Sequence, residues 1–247
     1  MKSVVCVAFI LLLCACTDIP SGAGAVASIQ FDSLPSPSVV LGDTLRDESG
    51  RVAPLSARAF AYGAREIIAP PFRYSTLDRG LTIDSVTGRV IGDSVRATPA
   101  RVIAAVAGLQ ALLPIPVVFK PDTVVISAGR DSLAYSLTDS TVNISPSLSV
   151  VLRHTLTQPD SLVRSYLVKF AITNQADTLA AQLVNDAGGA SSRDTTDLSG
   201  TASRKLRIRP TRLKSITDSV VVSASVTYRG AHVRGSPARL VLKVKPK

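Results

Sequence analysis

The sequence has no tryptophan, two histidines and three cysteines, and aromatic residues make up 4% of its 247 positions. Each shortage removes a class of function. Without Trp and with few other rings, a carbohydrate platform or a single-strand nucleic-acid surface built on stacking lacks its parts, so no specific nucleic-acid recognition is expected. His154 and His232 stand apart, and there is no His-Glu-x-x-His, no Gly-x-Ser-x-Gly elbow, no Ser-x-x-Lys pair and no glycine-rich phosphate loop with its lysine. Neither an enzyme nor a cofactor is expected. His154 follows Leu148, Val150 and Leu152 at even spacing and reads as the end of a core-facing row, and His232 reads as a solvated turn residue. No Asp-x-Asp pair occurs, and calcium needs about six to eight oxygens, so Asp194 and Asp197 read as loop polarity and no metal site is expected.

What the sequence does contain starts with an export signal. Lys2 gives a positive start, Val4 to Leu13 form an almost unbroken apolar run, and small or polar residues follow. The run is about half of the roughly 20 residues that a spanning helix requires. Leu13, Cys14, Ala15 and Cys16 resemble a lipobox, in which an aliphatic residue three places back and a small residue one place back precede the lipidated cysteine. The resemblance implies a bacterial lipoprotein, with residues 1–15 removed as signal peptide and Cys16 carrying a diacylglycerol thioether and a further acyl chain such as palmitate. Cys6 and Cys14 leave with the signal, so Cys16 remains alone and no disulfide forms. Two or three acyl chains anchor durably where one is marginal. Thr17 rather than Asp follows the cysteine, and by resemblance this favours the outer membrane, facing the periplasm or the cell surface. Residues 16–27, with Pro20, Ser21, Gly22 and Gly24, read as the lipidated cysteine and a flexible tether.

The remaining chain is rich in Val, Ser, Thr, Leu and Arg, a composition suited to strands and turns. Val220, Val222, Ala224, Val226 and Tyr228 alternate with Ser223, Ser225, Thr227 and Arg229, and only Val221 breaks the order. Tyr166, Val168, Phe170 and Ile172 alternate in the same way, as do Leu240, Leu242 and Val244. A period of two marks half-buried strands. Asp with Ser recurs beside apolar stretches at Asp32, Asp84, Asp93, Asp131, Asp139, Asp160 and Asp218, where either side chain can bond its own backbone and turn the chain. The expected fold is all-β, with two tandem sandwiches over residues 28–118 and 122–247 and a boundary at Lys120 and Pro121.

Two resemblances sharpen that expectation. Tyr74, Ser75 and Thr76, then Leu81 to Asp84 and Thr87 to Gly92, resemble the bacterial Ig-like domains of group 2, with Tyr74 at the place of a usual Trp and Gly42, Asp43 and Thr44 matching the usual opening. Gly88 suits the positive φ of the Thr-Gly turn. In the second domain, Asp197, Ser199, Gly200, Ala202 and Leu206 resemble invasin-type Ig-like domains, and Tyr228 to Pro237 resemble the closing hairpin of filamin-type repeats. These resemblances imply Ig-like sandwiches that serve as spacers, adhesion modules or interaction platforms, with an envelope or surface protein as partner.

Charge is unevenly distributed. Residues 28–118 carry 9 basic against 8 acidic side chains, and residues 193–247 carry 13 against 3. If Leu206 and Ile208 face the core, Lys205, Arg207 and Arg209 line the outside of one strand, with Arg212 and Lys214 just after it, and Lys243 and Lys245 do the same on the last strand. These seven are the candidate anion-binding residues. The second expectation, beside a non-enzymatic structural or adhesion module, is therefore a polyanion-binding module for lipopolysaccharide, acidic glycan or extracellular DNA. A solvated basic face that discourages edge-to-edge aggregation accounts for the same residues without a ligand.

Overall fold

A computed structural model describes residues 25–128, 132–140, 143–156, 159–174, 180–212 and 219–246. The signal peptide, Cys16, Lys214, Asp131 and Asp218 lie outside the described residues, as does most of the tether. Among the described residues there is no α-helix, and no helix is long and apolar enough to cross a membrane.

Strands before residue 119 pair only with one another. Ser28–Phe31, Ala57–Phe60 and Glu66–Ile67 form one antiparallel sheet, and Arg73–Thr76, Ala100–Val106 and Leu109–Ile115 form a second. Val39–Val40 runs parallel to Val117–Val118, and bridges from Leu41 and Thr44 join that pair to the Leu81–Ile83 and Val90–Gly92 hairpin. Between these layers lies a core of Leu45, Leu55, Tyr74, Val90, Val102 and Ile115.

The Thr-Gly turn of this half has a definite packing role. Gly88 has φ +69°, and a Cβ there would sit 2.6 Å from the Leu55 carbonyl oxygen and 3.2 Å from the Tyr74 ring. Tyr74 thus occupies the space over the turn, with its ring centroid 6.4 Å from Phe31 and 6.3 Å from Phe72. Asp84 closes the same turn by accepting the Val86 and Thr87 N–H groups.

From Thr123 onward the strands again pair only among themselves, in two five-stranded sheets. Thr123–Ala128, Leu148–His154, Thr201–Ile208 and Ala181–Val184 lie in that order, with Ser161–Leu162 against Leu148–His154. The facing sheet runs Ser132–Tyr135, Ala238–Pro246, Ser219–Ser225, Leu167–Ile172 and Arg193–Thr195. Along Ala238–Pro246, Leu240, Leu242 and Val244 point inward while Arg239, Val241 and Lys243 point outward, as the period of two requires. Val221 is also buried, because its strand is central and both neighbours shield its outer face. The chain is all-β and built as two tandem sandwiches.

The recurring Asp residues divide into two kinds. Asp84 turns its own backbone, as expected from the sequence. Asp32 instead accepts the Ser56 hydroxyl and the Arg58 guanidinium of a neighbouring strand, Asp93 accepts from Thr82, and Asp160 pairs with Arg153. Those three tie separate segments together rather than capping their own turns.

Candidate functional site

The polar chemistry of the molecule converges where the two halves meet. In the first half, Gly42 takes φ +71° just after Val39–Val40, and Asp43 follows with its side chain 3% exposed. A buried carboxylate requires compensating partners. Arg46 supplies two bonds, at 2.9 Å to Oδ2 and 3.0 Å to Oδ1, and the Thr44 N–H donates to Oδ1 at 2.8 Å. The same Arg46 donates to the Gly50 carbonyl at 2.8 Å and so fixes the loop that follows.

The second half completes this cluster. Thr227–Tyr228 and Ala231–His232 are joined by Arg229 and Gly230, both at positive φ (51° and 79°), as a two-residue type I′ hairpin requires. The left-handed backbone at Arg229 is uncommon for a residue with a Cβ. It aims the guanidinium back at Asp43, with Nε 3.0 Å from Oδ2 and a terminal nitrogen 3.0 Å from Oδ1. Tyr228 stands beside the Asp43 carboxylate, and its ring is approached by Lys120 Nζ at 5.1 Å and by the Arg229 guanidinium at 5.4 Å. Burial pushes the Asp43 carboxyl toward its neutral form, but Arg46, Arg229, the Thr44 N–H and Tyr228 outweigh it and hold the group well below the usual carboxylate range.

A second ionic contact lies beside the first. Lys169 and Arg193 are direct cross-strand partners in the second sandwich, an arrangement of like charges that repels. Glu48 of the first sandwich reaches between them, 2.8 Å from Lys169 Nζ and 2.7 Å from an Arg193 nitrogen. Backbone contact accompanies the charges: a Cβ on Gly50, at φ +85°, would sit 2.2 Å from the Gly230 nitrogen. Only a glycine permits this approach. The two halves enclose a cleft of ≈ 230 Å³ lined by Asp43, Arg46, Glu48, Lys169, Tyr228 and Arg229.

The connector is pinned from the second sandwich. His154 stacks on Phe119 with ring centroids 5.3 Å apart, and its Nδ1 lies 2.9 Å from the Lys120 carbonyl oxygen. Asp122 accepts the Thr155 N–H at 2.7 Å. Arg164 donates to the Arg96 carbonyl across the junction. His154 thus stands at the end of its strand in a structural role, and exposed His232 bonds Ser236 within the hairpin region.

The sequence-predicted basic residues do not form one surface. Leu206 and Ile208 do face the core, so Lys205 and Arg207 project outward. Lys205 is paired with Asp186 at 3.0 Å. Arg207 and Arg209 line a separate groove without a carboxylate partner among the described residues, and Arg212 follows in the Pro210–Arg212 turn. Lys243 and Lys245 lie on the outer face of the opposite sheet, with the core between them and Lys205. Asp194 is held by Arg204 at 3.0 Å, and Asp197 accepts the Ser199 and Thr201 N–H groups of its own turn. Among the described residues no group of three His, Cys, Asp or Glu side chains is placed to hold a metal ion.

Asp43, Glu48, Lys169 and Arg229 were not singled out from the sequence as a site. The signals in the sequence are indirect: the Gly42-Asp43-Thr44 triplet and the Arg229-Gly230 turn read as features of separate domains.

No protein-family model matches the chain, and no curated protein matches it in sequence. Similar solved structures include domains 4 and 5 of the S-layer protein SbsC (TM-score 0.33, 12% identity, 89% of this chain and 98% of that one). The chain spans 31% of a longer SbsC structure of domains 4–9. The Yersinia pseudotuberculosis adhesin InvE gives TM-score 0.35 and 11% identity over 88% of this chain and 58% of that one. Human protocadherin-24 EC1-2 gives 0.26 and 14% over 90% and 99%. Likenesses this distant leave the function to be argued from the residues themselves.

Proposed function

We propose that this chain is a lipid-anchored, extracytoplasmic module of the bacterial envelope that acts without enzymatic chemistry, as a structural or adhesion arm made of two docked Ig-like sandwiches. The observation that supports it is the junction. Its charged groups are consumed in holding one sandwich against the other, Asp43 by Arg46 and Arg229, and Glu48 by Lys169 and Arg193. Such a joint transmits position and force between the ends of the molecule, which is what a spacer or adhesion arm needs. The Cys16 thioether would hold one end at a membrane, by preference the outer one, and leave the second sandwich to meet an envelope or surface protein.

The test uses intact cells expressing the full chain. Labelling with a palmitate analogue, fractionation of membranes, protease treatment of whole cells and pull-down with the lipidated protein are run on one sample. Expected are label and membrane association that both vanish in Cys16→Ser, and capture of an envelope or surface protein that is lost on Gly50→Ala. A soluble, unlabelled wild-type protein would overturn the anchor. Turnover of a substrate by the purified chain, abolished by changing one titratable residue, would overturn the non-enzymatic reading.

A further inference from the structure

We infer that the end of the first sandwich remote from the junction rests on a lipid surface, with Tyr62 and Ile68 entering the interfacial layer of the bilayer. The inference rests on the lipid-anchor reading of Cys16 and adds an orientation to it.

The segment from Ala59 to Phe72 has Arg65 and Glu66 as its only charged residues and closes on an uncharged run from Ile67 to Phe72. Ile68 is 94% exposed, more than any other large apolar side chain among the described residues, and Tyr62 is 61% exposed. Neither is left outward by a loose backbone. Ala59 and Phe60 pair with Ile67 and Glu66, the Ala61 N–H donates to the Arg65 carbonyl at 2.8 Å, and the Phe72 N–H donates to the Pro70 carbonyl at 2.8 Å. Ala61 and Phe72 turn the other way, Ala61 buried and Phe72 packed on Tyr74 with ring centroids 6.3 Å apart. The loop therefore holds an aliphatic and a phenolic side chain in water at fixed positions. An aliphatic chain gains by leaving water, and a Tyr ring with its polar tip suits the boundary between headgroups and acyl chains. Exposed Arg73 ends the run with a cation suited to headgroup phosphates.

The place where the chain enters the sandwich decides which surface this loop meets. Ser28 pairs with Phe60, and the Ala27 N–H donates to the Phe60 carbonyl at 2.7 Å, so the chain coming from Cys16 joins the fold at the base of the loop. Arg73, where the loop ends, pairs with Ala105 beside the Val106 to Leu109 turn, whereas Ile115 at the other end of that hairpin leads through Val117–Val118 to the junction. Loop and anchor thus share the end away from the second sandwich. From Cys16 to Ala25 the chain can span at most about 32 Å. A lipidated Cys16 would keep this end within that distance of the bilayer, and a tethered contact forms at a high effective concentration, so a few apolar side chains suffice to close it. Val86, 63% exposed, adds one more near the end of the loop, since the carbonyl of Ser85 accepts the Tyr74 N–H at 2.9 Å. Exposed Leu137, Leu156 and Leu198 belong to the second sandwich and have no such link to the anchor.

The test uses the full chain, processed in cells and reconstituted into vesicles of phosphatidylethanolamine and phosphatidylglycerol, with mass spectrometry of the Cys16 peptide to report the lipid. Lipidation blocks the thiol of Cys16, so a fluorophore can be placed at one introduced position, either Ile68→Cys at the tip or Leu137→Cys on the second sandwich. Expected is quenching by nitroxide-bearing lipids that is about threefold or more stronger at Ile68→Cys, because an interfacial side chain reaches about 5–10 Å into the boundary. A fluorophore is itself apolar, so a second reading places it at Val86→Cys and changes the loop. There Tyr62→Ser/Ile68→Ser should lower the quenching by about half or more with the melting temperature unchanged. Equal quenching at Ile68→Cys and Leu137→Cys would show indiscriminate adsorption and overturn the inference, as would quenching at Val86→Cys that ignores the loop substitutions. Lipid on Cys16 with no quenching at Ile68→Cys would overturn the orientation and leave the anchor standing. A Cys16 without lipid would overturn the anchor and, with it, the inference.

Discussion

Arg229 and Asp43 are 186 positions apart in the chain and meet through two hydrogen bonds of 3.0 Å each. Asp43 is the buried member and Arg229 the half-exposed one, with side-chain exposures of 3% and 53%. That asymmetry sets the order of the mutational effects. Asp43→Ala removes the acceptor for Arg46, Arg229 and the Thr44 N–H together, and loss of one member of a buried ionic cluster costs about 3 kcal/mol. Arg229→Ala leaves Asp43 still gripped by Arg46 and should cost distinctly less. Urea unfolding of the two variants beside the wild type gives the ranking, and an equal loss in both would contradict it.

Gly50 and Gly88 separate docking from folding. Each is at positive φ and each would place a Cβ inside contact distance of backbone, but Gly50 meets Gly230 across the junction while Gly88 meets Leu55 within the first sandwich. Gly50→Ala should therefore open the joint and leave both sandwiches folded, seen as a larger radius of gyration in solution scattering and new protease cleavage near residues 118–122. Gly88→Ala should lower the melting temperature of the first sandwich itself. A Gly50→Ala protein as compact as the wild type would refute the close approach.

How much of this could be read in advance follows from the range over which each feature is encoded. Alternation within one strand placed Leu240, Leu242, Val244, Leu206 and Ile208 in the core, because facing is decided by a residue's immediate neighbours. The φ of Gly88 was legible for the same reason. The junction was not. Asp43 and Glu48 look like ordinary loop polarity until the hairpin at Arg229 and the register of Lys169 with Arg193 are known, and both depend on how distant strands pair. Nor could the basic row be trimmed from the sequence, since the neutralisation of Lys205 rests on the turn that carries Asp186.

Tyr74 stands where the resemblance expects Trp, and its environment states what the ring must do. It is buried against Phe31, Phe72 and the Gly88 turn. Tyr74→Ala should cost about 3–5 kcal/mol, as for other large buried rings. Tyr74→Phe keeps the ring and its packing and should cost no more than about 1 kcal/mol. Chemical denaturation distinguishes the two, and near-equal costs would mean that the hydroxyl rather than the ring carries the contact.

Glu48 offers a test of sign through salt. With Glu48 present, Lys169 and Arg193 are bridged, and added salt should weaken the bridge. In Glu48→Gln the two cations face each other unrelieved, a cross-strand repulsion of about 0.2–1 kcal/mol that salt screens. Raising salt should therefore destabilise the wild type relative to Glu48→Gln. Thermal melts of both proteins across a salt series report the difference, and parallel salt responses would exclude the bridge.

Acid should act on the junction through Asp43. The carboxyl is held well below its ordinary value in the folded protein, so the folded state binds its proton less readily than the unfolded chain does. The stability this contributes is fully present above the unfolded carboxylate value of about 3.9 and disappears as pH falls through the lower folded value. Asp32, Asp78, Asp84 and Asp197 are lowered as well, so acid weakens the whole protein and the wild type alone is not diagnostic. The comparison with Asp43→Asn removes that background, because every other carboxylate is common to both. The stability gap between the two proteins should be constant from about pH 7 to pH 5 and shrink below about pH 4. Urea unfolding at stepped pH measures the gap, and a gap that holds or widens in acid would show that Asp43 does not carry its charge in the folded joint.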